Sequence, residues 1–551
     1  MTRARRAAVR NRLAAGTTSL AAALLLLSAG HVSAAYKPTS CAGGSVDGPA
    51  PQTPMCFGRM FPHLRPFHYS DQAAADLAAK MKNPRPDPPG TDRGTSDDSA
   101  ILPSEYTYLG QFIDHNLDFD ETPQPSADVN PRLLTNFESF RFDLNNVFGG
   151  GPRIDPQLYA SDRKHLLVSG TLGTPKADGF PTVKDPRGVF DLARKAATGQ
   201  AILVDSRDDE NQIISQISAA FVAFYNNFVN RGDSYAKARQ LTEDYYQEIV
   251  LTDVLPEFVG QSTVNKYLHF GPHGAVHVHT PNFPDANFTP IEFSVGAYRF
   301  GHSLVRNDYH INDVFPTTKD INDNVSIFNR NAFQVGDLSG GGPLPGPNGS
   351  STTGCTSTSL CDRPSPAGHQ IEWKYFVPKL DSYPLDPGIN YARATQPTIS
   401  PALFKLPAYA IPGCTDAASP VCNGSGQLIS RDFARGNYDG LASGQAIAKA
   451  LGCHVISAAS INPTKDAVFN SATPLLYYVL AEAWRSGQTL GCVGRSIVAQ
   501  TFIRVLWDTP NSILHTHFRP DPSLVKLAPE QQKFSFGDLL VDTRLAPRTS
   551  Q

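Results

Sequence analysis

The sequence predicts a mainly α-helical protein with little β structure, and three observations lead to this fold class. Apolar residues recur at helical spacing in long stretches, most clearly over residues 211–229, where Ile213, Ile217 and Phe221 fall on one face. Segments with the alternation of a strand are short and weak, and the sequence contains no internal repeat. We therefore expect one large helical domain over residues 101–545.

Further helices follow from the same periodicity, each as an apolar stripe on an otherwise polar segment. In chain order they are predicted at residues 108–117, 235–254, 291–305, 441–451, 474–485 and 493–506. Residues 35–100 are rich in Pro, Gly and Asp, which is typical of an extended segment, and we expect an extended N-terminal arm around the helical domain. Residues 336–366 have almost no apolar content and are predicted to form a surface excursion.

The first 34 residues have the composition of an export signal. Five arginines occur among the first twelve residues, followed by an apolar run and a small-residue cleavage site at residues 32–34. We expect these residues to be removed from a secreted protein; two adjacent arginines leave the twin-arginine route open as an alternative. No later stretch has the roughly 18 continuous apolar residues of a membrane-spanning helix.

The charge distribution argues against nucleic acid as a partner. The net charge is −3 at pH 7, and no basic stripe with interleaved aromatic residues is present.

The eight cysteines of an exported chain indicate disulfide bonds. Proximity in the sequence favours three pairs, and elimination leaves a fourth: Cys41–Cys56, Cys355–Cys361, Cys414–Cys422 and Cys453–Cys492. The alternative is a metal site, but no Cys-x-x-Cys spacing supports it.

The segment "YLGQFIDHNLDFDE" at residues 108–121 places polar groups inside an apolar helix. Gln111 and His115 are one turn apart and share a face, and Asp114 lies about 100° round the helix from His115. An amide, a carboxylate and an imidazole cost free energy to bury unless they are paired. The helix therefore either faces a functional cavity or carries a core histidine that bonds to a backbone carbonyl.

A second polar segment is "DSRDDEN", which directly precedes the apolar helix at residues 211–229. Arg207 and Glu210 lie three residues apart, and Asp205 or Asp208 could serve as the helix N-cap. Taken alone, the segment favours a solvated charged turn over a functional site.

The third segment, "FSVGAYRFGHSLVR", carries Arg299, His302 and Arg306 at helical spacing on an apolar helix. The histidine could supply a neutral nitrogen ligand to a metal, and the arginines could bind anionic groups. The alternative is an exposed basic stripe.

Together these segments resemble the animal-type haem peroxidases of the peroxidase–cyclooxygenase superfamily, and more closely their bacterial members. Six blocks carry the resemblance in family order: "FGRMFPHLRPF", "YLGQFIDH", "DSRDDEN", "AYRFGHSLV", "LISRDFARGNYDGLASGQA" and "TPLLYYVLAEAW". The resemblance implies a single helical domain that encloses haem b. It also implies that hydrogen peroxide is reduced while a small electron donor, a halide or an aromatic compound, is oxidised.

The resemblance assigns four residues to the peroxide reaction. His302 resembles the proximal ligand, a neutral imidazole on the iron. His115 resembles the distal base, which exchanges a proton with peroxide, work suited to a group with a pKa near neutrality. Arg207 resembles the distal arginine that stabilises charge on the leaving oxygen. Gln111 matches the distal glutamine, which orders water or halide over the iron.

The resemblance also implies contacts with the rim of the haem. Asp114 and Glu210 match the carboxylates that form esters with haem methyl groups in mammalian relatives, so ester-linked haem is a possibility. A sulfonium link is excluded because Asn211 stands where those relatives have methionine. Arg299 and Arg431 match partners of the haem propionates.

Two departures from the family pattern concern calcium and the proximal histidine. Relatives have a calcium-binding aspartate after the distal histidine, but Asn116 occupies that position, which lowers the expected affinity for calcium. The asparagine that bonds the proximal imidazole in relatives would fall near Leu428, whose side chain cannot accept a hydrogen bond, so the partner of His302 is not identified. The candidate calcium ligands are Asn116, Ser139, Arg141, Asp143 and Asn145.

Two other functions compete with a peroxidase. A fatty-acid oxygenase of the same superfamily needs a radical-forming tyrosine three residues before the proximal histidine, where this chain has Arg299. A non-catalytic adhesion or matrix protein would keep the fold and lose the haem site, but His115, Arg207 and His302 are all retained.

Overall fold

The computed structural model describes residues 55–82, 98–120, 129–169, 191–193, 201–311, 325–326, 371–380, 389–404, 406, 427–527 and 529–545. Within these ranges the helices of seven or more residues are α1 (Asp71–Met81), α2 (Glu105–Leu117), α3 (Gln212–Asn230), α4 (Tyr235–Glu248), α5 (Gln261–Tyr267), α6 (Leu428–Tyr438), α7 (Gly444–Leu451), α8 (Leu475–Ser486), α9 (Cys492–Asp508) and α10 (Phe536–Asp542). Shorter α-helical turns are Asn145–Phe148, Leu255–Val259, Gly301–Leu304, Ala458–Ile461, Val468–Ser471 and Ile513–Thr516.

The strands of the described residues are short. Met55–Gly58 lies at the centre of a three-stranded sheet, antiparallel to Thr135–Asn136 and parallel to Thr289–Pro290. The remaining strands form pairs: Asp98–Pro103 with Tyr391–Arg393, Val168–Ser169 with Asp191–Leu192, Leu268–Phe270 with Val276–Val278, and Asp308–Tyr309 with Val325–Ser326. The predicted class, mainly α with little β structure, is confirmed.

The core is centred on α3, which is buried along nearly its whole length and includes buried polar residues such as Ser215 and Gln216. The ring of Phe221 on α3 stacks on Phe112 of α2, with ring centroids 4.9 Å apart. The N-cap of α3 is Asn211, whose side chain accepts from two backbone N–H groups of the first turn. The proposal of Asp205 or Asp208 as this cap is therefore wrong, since Asp205 instead caps the preceding 3₁₀ turn, Ser206–Asp209.

The helix predicted at residues 291–305 is not regular. It consists of a π-helical turn, Glu292–Gly296, a 3₁₀ turn, Ala297–Phe300, and one α-helical turn, Gly301–Leu304. Gly296, between the π and 3₁₀ turns, packs closely against α8, because a Cβ there would lie 2.5 Å from Cδ2 of Leu475. Apolar periodicity indicates helix but does not distinguish these local variants.

Part of the predicted N-terminal arm belongs to the body of the protein. Residues 55–82 contain the central strand and α1, so this part is not extended. The backbone N–H groups of Met60 and Phe61 donate to the buried carboxylate of Glu292 at 2.9 and 3.1 Å. The Tyr69 hydroxyl donates to the Phe433 carbonyl on α6 at 2.9 Å. These contacts connect residues 55–82 to the segment that begins at Glu292 and to α6.

The signal peptide at residues 1–34 and the surface excursion at 336–366 lie outside the described residues and stay predictions. The described residues fall within one compact unit, Pro38–Gln551. None of the helices in the described ranges has the length and apolarity needed to cross a bilayer.

The disulfide predicted between Cys453 and Cys492 is confirmed, with their Cα atoms 5.9 Å apart. Cys56 is also disulfide-bonded. The pairs predicted between Cys355 and Cys361 and between Cys414 and Cys422 lie outside the described residues, as does Cys41.

Candidate active site

A cavity of about 280 Å³ lies between α2, α6 and the segment that carries His302. The three polar segments of the sequence meet here, although they are far apart along the chain. The residues predicted for the peroxide reaction and the haem rim all line this cavity: Gln111, Asp114, His115, Arg207, Glu210, Arg299, His302 and Arg431.

His115 is held by a carboxylate behind it. Its Nδ1 atom lies 2.7 Å from Oδ1 of Asp208, and the side chains are only 5% and 0% exposed. Asp208 also accepts from Nδ2 of Asn146 at 2.9 Å. The alternative of a core histidine bonded to a backbone carbonyl is therefore wrong. Because Nδ1 is engaged, Nε2 is the ring nitrogen that remains for a ligand in the cavity.

Burial and the nearby Arg207 cation lower the pKa of His115 to about 3. This differs from the expected pKa near neutrality, because the sequence does not show how far the ring is removed from water. The imidazole is therefore neutral over the physiological range. A neutral ring is the form that can accept a proton.

Arg207 is fixed by three contacts. Its Nη2 and Nε atoms donate to Oδ2 of the buried Asp205 at 2.6 and 2.9 Å, and Nη2 also donates to the His115 carbonyl at 3.2 Å. The guanidinium lies over the ring of Phe119, 4.4 Å from its centroid. Burial opposes the charge, but Asp205 raises the pKa of Arg207, which stays a cation. Sequence reasoning missed Asp205 and Asp208 as partners of the two catalytic candidates.

Gln111 is oriented by hydrogen bonds to Glu210 and Asn211, which follow the 3₁₀ turn Ser206–Asp209. Its Nε2 donates to Oε1 of Glu210, and its Oε1 accepts from Nδ2 of Asn211 at 3.1 Å. Burial raises the pKa of Glu210 to about 7, although Arg207 opposes this shift. The cavity therefore contains a carboxyl group that titrates near neutrality.

Arg299 forms an ion pair inside the cavity. Its Nη1 donates to Oδ2 of Asp114 at 3.0 Å, and its Nη2 lies 3.8 Å from Oδ1 of Asp118. Oδ1 of Asp114 and Oδ2 of Asp118 are buried with no protein partner within the described part of the chain. Burial and the Asp114 carboxylate raise the pKa of Asp118 to about 8. Arg299, the candidate partner of a haem propionate, thus contacts Asp114, a candidate for the haem ester.

Arg431 differs from Arg299 because it forms no ion pair within the residues that the structure describes. It lines the cavity from α6, and burial lowers the pKa of its guanidinium. A half-buried cation without a protein partner is suited to an anionic ligand.

His302 also has a carboxylate partner. Its Nδ1 lies 2.8 Å from Oδ2 of Asp432 on α6, with side chains 21% and 10% exposed. The sequence left the partner of His302 unidentified, and the structure places it one helical turn after Leu428, the position of the family asparagine. The signal that could have found Asp432 is an acidic side chain one turn after Leu428 on the same face of an amphipathic helix.

The candidate calcium ligands come together, but hydrogen bonds connect them. Oδ1 of Asp143 accepts from Asn116 Nδ2, Ser139 Oγ and the Asn145 backbone N–H at 3.3, 3.0 and 3.2 Å. Arg141 lies in the same loop and has no hydrogen bond or ion pair within the described ranges. No group of three or more His, Cys, Asp or Glu side chains suited to a metal occurs in the described residues. Calcium stays a prediction, and the donor set around Asp143 is weaker than a carboxylate-rich site.

Comparison with known proteins agrees with the resemblance seen in the sequence. Residues 211–340 match the family "Animal haem peroxidase". The structure is similar to peroxidase A from Dictyostelium discoideum, with a TM-score of 0.53 and 14% identity over 93% of this chain and 98% of the other. A search of curated protein sequences finds no match.

Fatty acid alpha-dioxygenases have a similar fold. The enzyme from Arabidopsis thaliana gives a TM-score of 0.52 and 13% identity over 89% of this chain and 78% of the other. The enzyme from Oryza sativa gives a TM-score of 0.51 and 13% identity over 89% of this chain and 79% of the other. At these identities the likeness concerns the fold, and it does not separate a peroxidase from a dioxygenase.

The residues that line the cavity fit a haem group. His302 offers an imidazole nitrogen, Nε2, that has no protein partner within the described residues, and Asp432 behind it fixes the ring. Arg431, which forms no ion pair within the described residues, offers a cation for a propionate. The remaining wall is largely apolar, with Phe57, Phe258, Val295, Phe300, Leu304 and Leu403 among its residues. An imidazole ligand, a cation and an apolar wall together suit a haem group.

Proposed function

We propose that this chain, a member of the peroxidase–cyclooxygenase superfamily, is a haem peroxidase that reduces hydrogen peroxide and oxidises a small electron donor. The observation that carries the proposal is the cavity itself. Two histidines from different segments line it, and each has Nδ1 engaged by an aspartate. Among the described residues, His115 is the histidine whose segment is joined by both an arginine, Arg207, and a glutamine, Gln111.

When bound, haem supplies an iron centre that cleaves the O–O bond of peroxide and stores the oxidising equivalents for the donor. His302 would ligate the iron through Nε2, because its Nδ1 bonds to Asp432. Arg431 would hold a propionate, and the Arg299–Asp114 pair would lie at the rim of the site.

His115, on α2, would act first as a base and then as an acid toward hydrogen peroxide. In the tautomer with Nδ1–H donated to Asp208, Nε2 would accept a proton from hydrogen peroxide and return it to the oxygen that leaves as water. Arg207 stabilises the negative charge that develops on that oxygen, and its bonds to Asp205 hold it in place beforehand. Gln111, fixed between Glu210 and Asn211, orders the water or halide near His115.

The proposal is tested by haem uptake and by reaction with peroxide. The purified protein should bind one haem with a Soret band, and a steady-state screen of halide and aromatic donors should show peroxide-dependent oxidation. His302→Ala should lose stable haem binding, because it removes the proposed protein bond to iron. A variant that keeps a full Soret band and normal turnover would refute the assignment of His302.

Fatty-acid dioxygenation remains the second candidate, because dioxygenases share the fold. This chain has Arg299 at the position of the radical-forming tyrosine, but Tyr298 lines the cavity next to it and donates its hydroxyl to the Gly110 carbonyl at 3.1 Å. Tyr298→Phe should leave peroxide-dependent donor oxidation unchanged. Oxygen uptake with a fatty acid that is present in the wild type and absent from Tyr298→Phe would favour the dioxygenase instead.

Ester-linked haem is part of the proposal. Glu210 and Asp114 both line the cavity, and Oδ1 of Asp114 has no protein partner within the described residues. After treatment with peroxide, acid–butanone extraction should leave haem on the wild type and release it from the Asp114→Ala, Glu210→Ala double variant. Complete extraction from the wild type would contradict the ester.

Secretion is proposed on the composition of residues 1–34. N-terminal sequencing of protein from the culture medium should find a chain that begins at residue 35. Protein that is retained in cells with Met1 intact would refute it.

A further inference from the structure

The helix that carries Asp432, the partner of His302, is itself held in place by hydrogen bonds to the N-terminal segment. Asp432 lies on α6, and this helix is tied to the N-terminal segment by Tyr69, whose hydroxyl donates to the Phe433 carbonyl at 2.9 Å. Asn437 of α6 also accepts from the Tyr69 backbone N–H at 3.2 Å and donates to its carbonyl at 2.9 Å. The Asp432 carboxylate that contacts His302 therefore lies on a helix, α6, that is fixed by hydrogen bonds, and not on a loop.

Asp432 also interacts electrostatically with the cationic side chains of the cavity. It is among the acidic groups that raise the pKa of Arg299, and it opposes the lowering of the pKa of Arg431 by burial. The group that faces Nδ1 of His302, at 2.8 Å, is thus a carboxyl oxygen and not an amide or a backbone carbonyl.

We propose that Asp432 is a positioning residue that holds the His302 ring by accepting its Nδ1–H and makes Nε2 a stronger donor to the haem iron. This rests on the ligand role of His302 in the proposed function. An imidazole that donates to a carboxylate gains basicity at its other nitrogen. A more electron-rich axial ligand lowers the reduction potential of haem iron and favours the ferric form, from which reaction with peroxide starts.

The inference predicts three changes in the haem-loaded Asp432→Asn variant, which keeps the size of the side chain and removes its charge. The Fe(III)/Fe(II) midpoint potential should become more positive. The iron–histidine stretching frequency of the reduced protein, measured by resonance Raman spectroscopy, should fall. Haem affinity should decrease about 10- to 100-fold, the usual effect of losing an outer partner of a metal ligand. Asp432→Glu, which restores the charge, should recover part of each change.

The matched control is Asp120→Asn. Asp120 also lines the cavity, and its Oδ2 accepts from Nη1 of Arg435 at 2.7 Å. This variant removes the same charge from the same cavity without touching His302. The stretching frequency should stay at the wild-type value, and the potential should move less than in Asp432→Asn.

The outcomes separate this inference from the proposed function. An unchanged stretching frequency in Asp432→Asn, or a potential shift no larger than that of Asp120→Asn, overturns the role of Asp432 even if the wild type is an active peroxidase. Conversely, the predicted shifts in a haem protein that does not oxidise donors support Asp432 and refute the peroxidase. A wild type that takes up no haem refutes both.

Discussion

Replacement of His115 by glutamine removes the proposed base with little disturbance of the fold. Alanine would leave the buried Asp208 with only Asn146 as a side-chain partner among the described residues, at a cost of about 1–3 kcal/mol for the lost hydrogen bond to a buried group. Glutamine is close in size to histidine, and its amide can still donate to Asp208. His115→Gln should therefore fold and bind haem as the wild type does.

The expected kinetic loss follows from the geometry. Nδ1 of His115 is engaged by Asp208, so Nε2 is the atom that exchanges the proton, and glutamine has no group that can do so. General acid–base catalysis contributes about 10²–10⁴-fold. At 1.36 kcal/mol for each tenfold change, the barrier to the peroxide reaction should rise by about 2.7–5.4 kcal/mol.

Stopped-flow spectroscopy measures this loss as the second-order rate of the haem absorbance change on mixing with hydrogen peroxide. The matched control is His165→Gln, which breaks another histidine–aspartate pair, formed with the exposed Asp162 away from the cavity. The control should react at the wild-type rate. A rate for His115→Gln within a factor of three of the wild type, with haem fully bound, would refute the role of His115.

Three further predictions concern the groups around His115. Arg207→Ala should slow the peroxide reaction by about 10²–10³-fold. It should also lower the free energy of unfolding by about 3–5 kcal/mol, because the buried Asp205 carboxylate loses its cationic partner. In urea denaturation the Asp205→Ala, Arg207→Ala double variant should regain stability but not the peroxide rate, and recovery of both would contradict the assignment of Arg207. In haem-loaded protein that has formed no ester at Glu210, the peroxide rate should fall as the pH rises through about 7, since the Glu210 carboxyl loses its proton there and adds a negative charge beside Gln111. Glu210→Gln should abolish this inflection, and its persistence would assign the titration to another group. Because the side chains of Asn116 and Ser139 lie close to Asp143, calcium bound there should make a chelator lower the thermal unfolding midpoint, and an unchanged midpoint would contradict a calcium site.

The sequence was sufficient to predict the helical class and the residues that surround the cavity. Periodicity located α3 to within one residue at each end, because its large apolar residues recur at helical spacing along the whole segment. At residues 291–305 the same spacing indicated one helix but did not reveal that it is divided into π, 3₁₀ and α turns. The Ala-rich α1 was missed because the surrounding Pro and Gly residues dominated the composition.

Partners of the site residues were the least predictable feature. Asp208 and Asp432 contact their histidines across 93 and 130 residues of sequence. Such contacts depend on the packing of separate elements, and a single sequence carries no record of that packing. The pKa of His115 was likewise unpredictable, because burial, which the sequence does not show, is the largest cause of its shift.

The central claim is that this cavity holds haem between His302 and His115 and uses it on hydrogen peroxide. The most direct test is to load the purified protein with one equivalent of haem and mix it with one equivalent of hydrogen peroxide in a stopped-flow spectrometer. The account predicts a Soret band that disappears in His302→Ala, and a rapid absorbance change on mixing that a small donor reverses. A Soret band that survives in His302→Ala, or a wild-type spectrum that does not respond to peroxide, would contradict it.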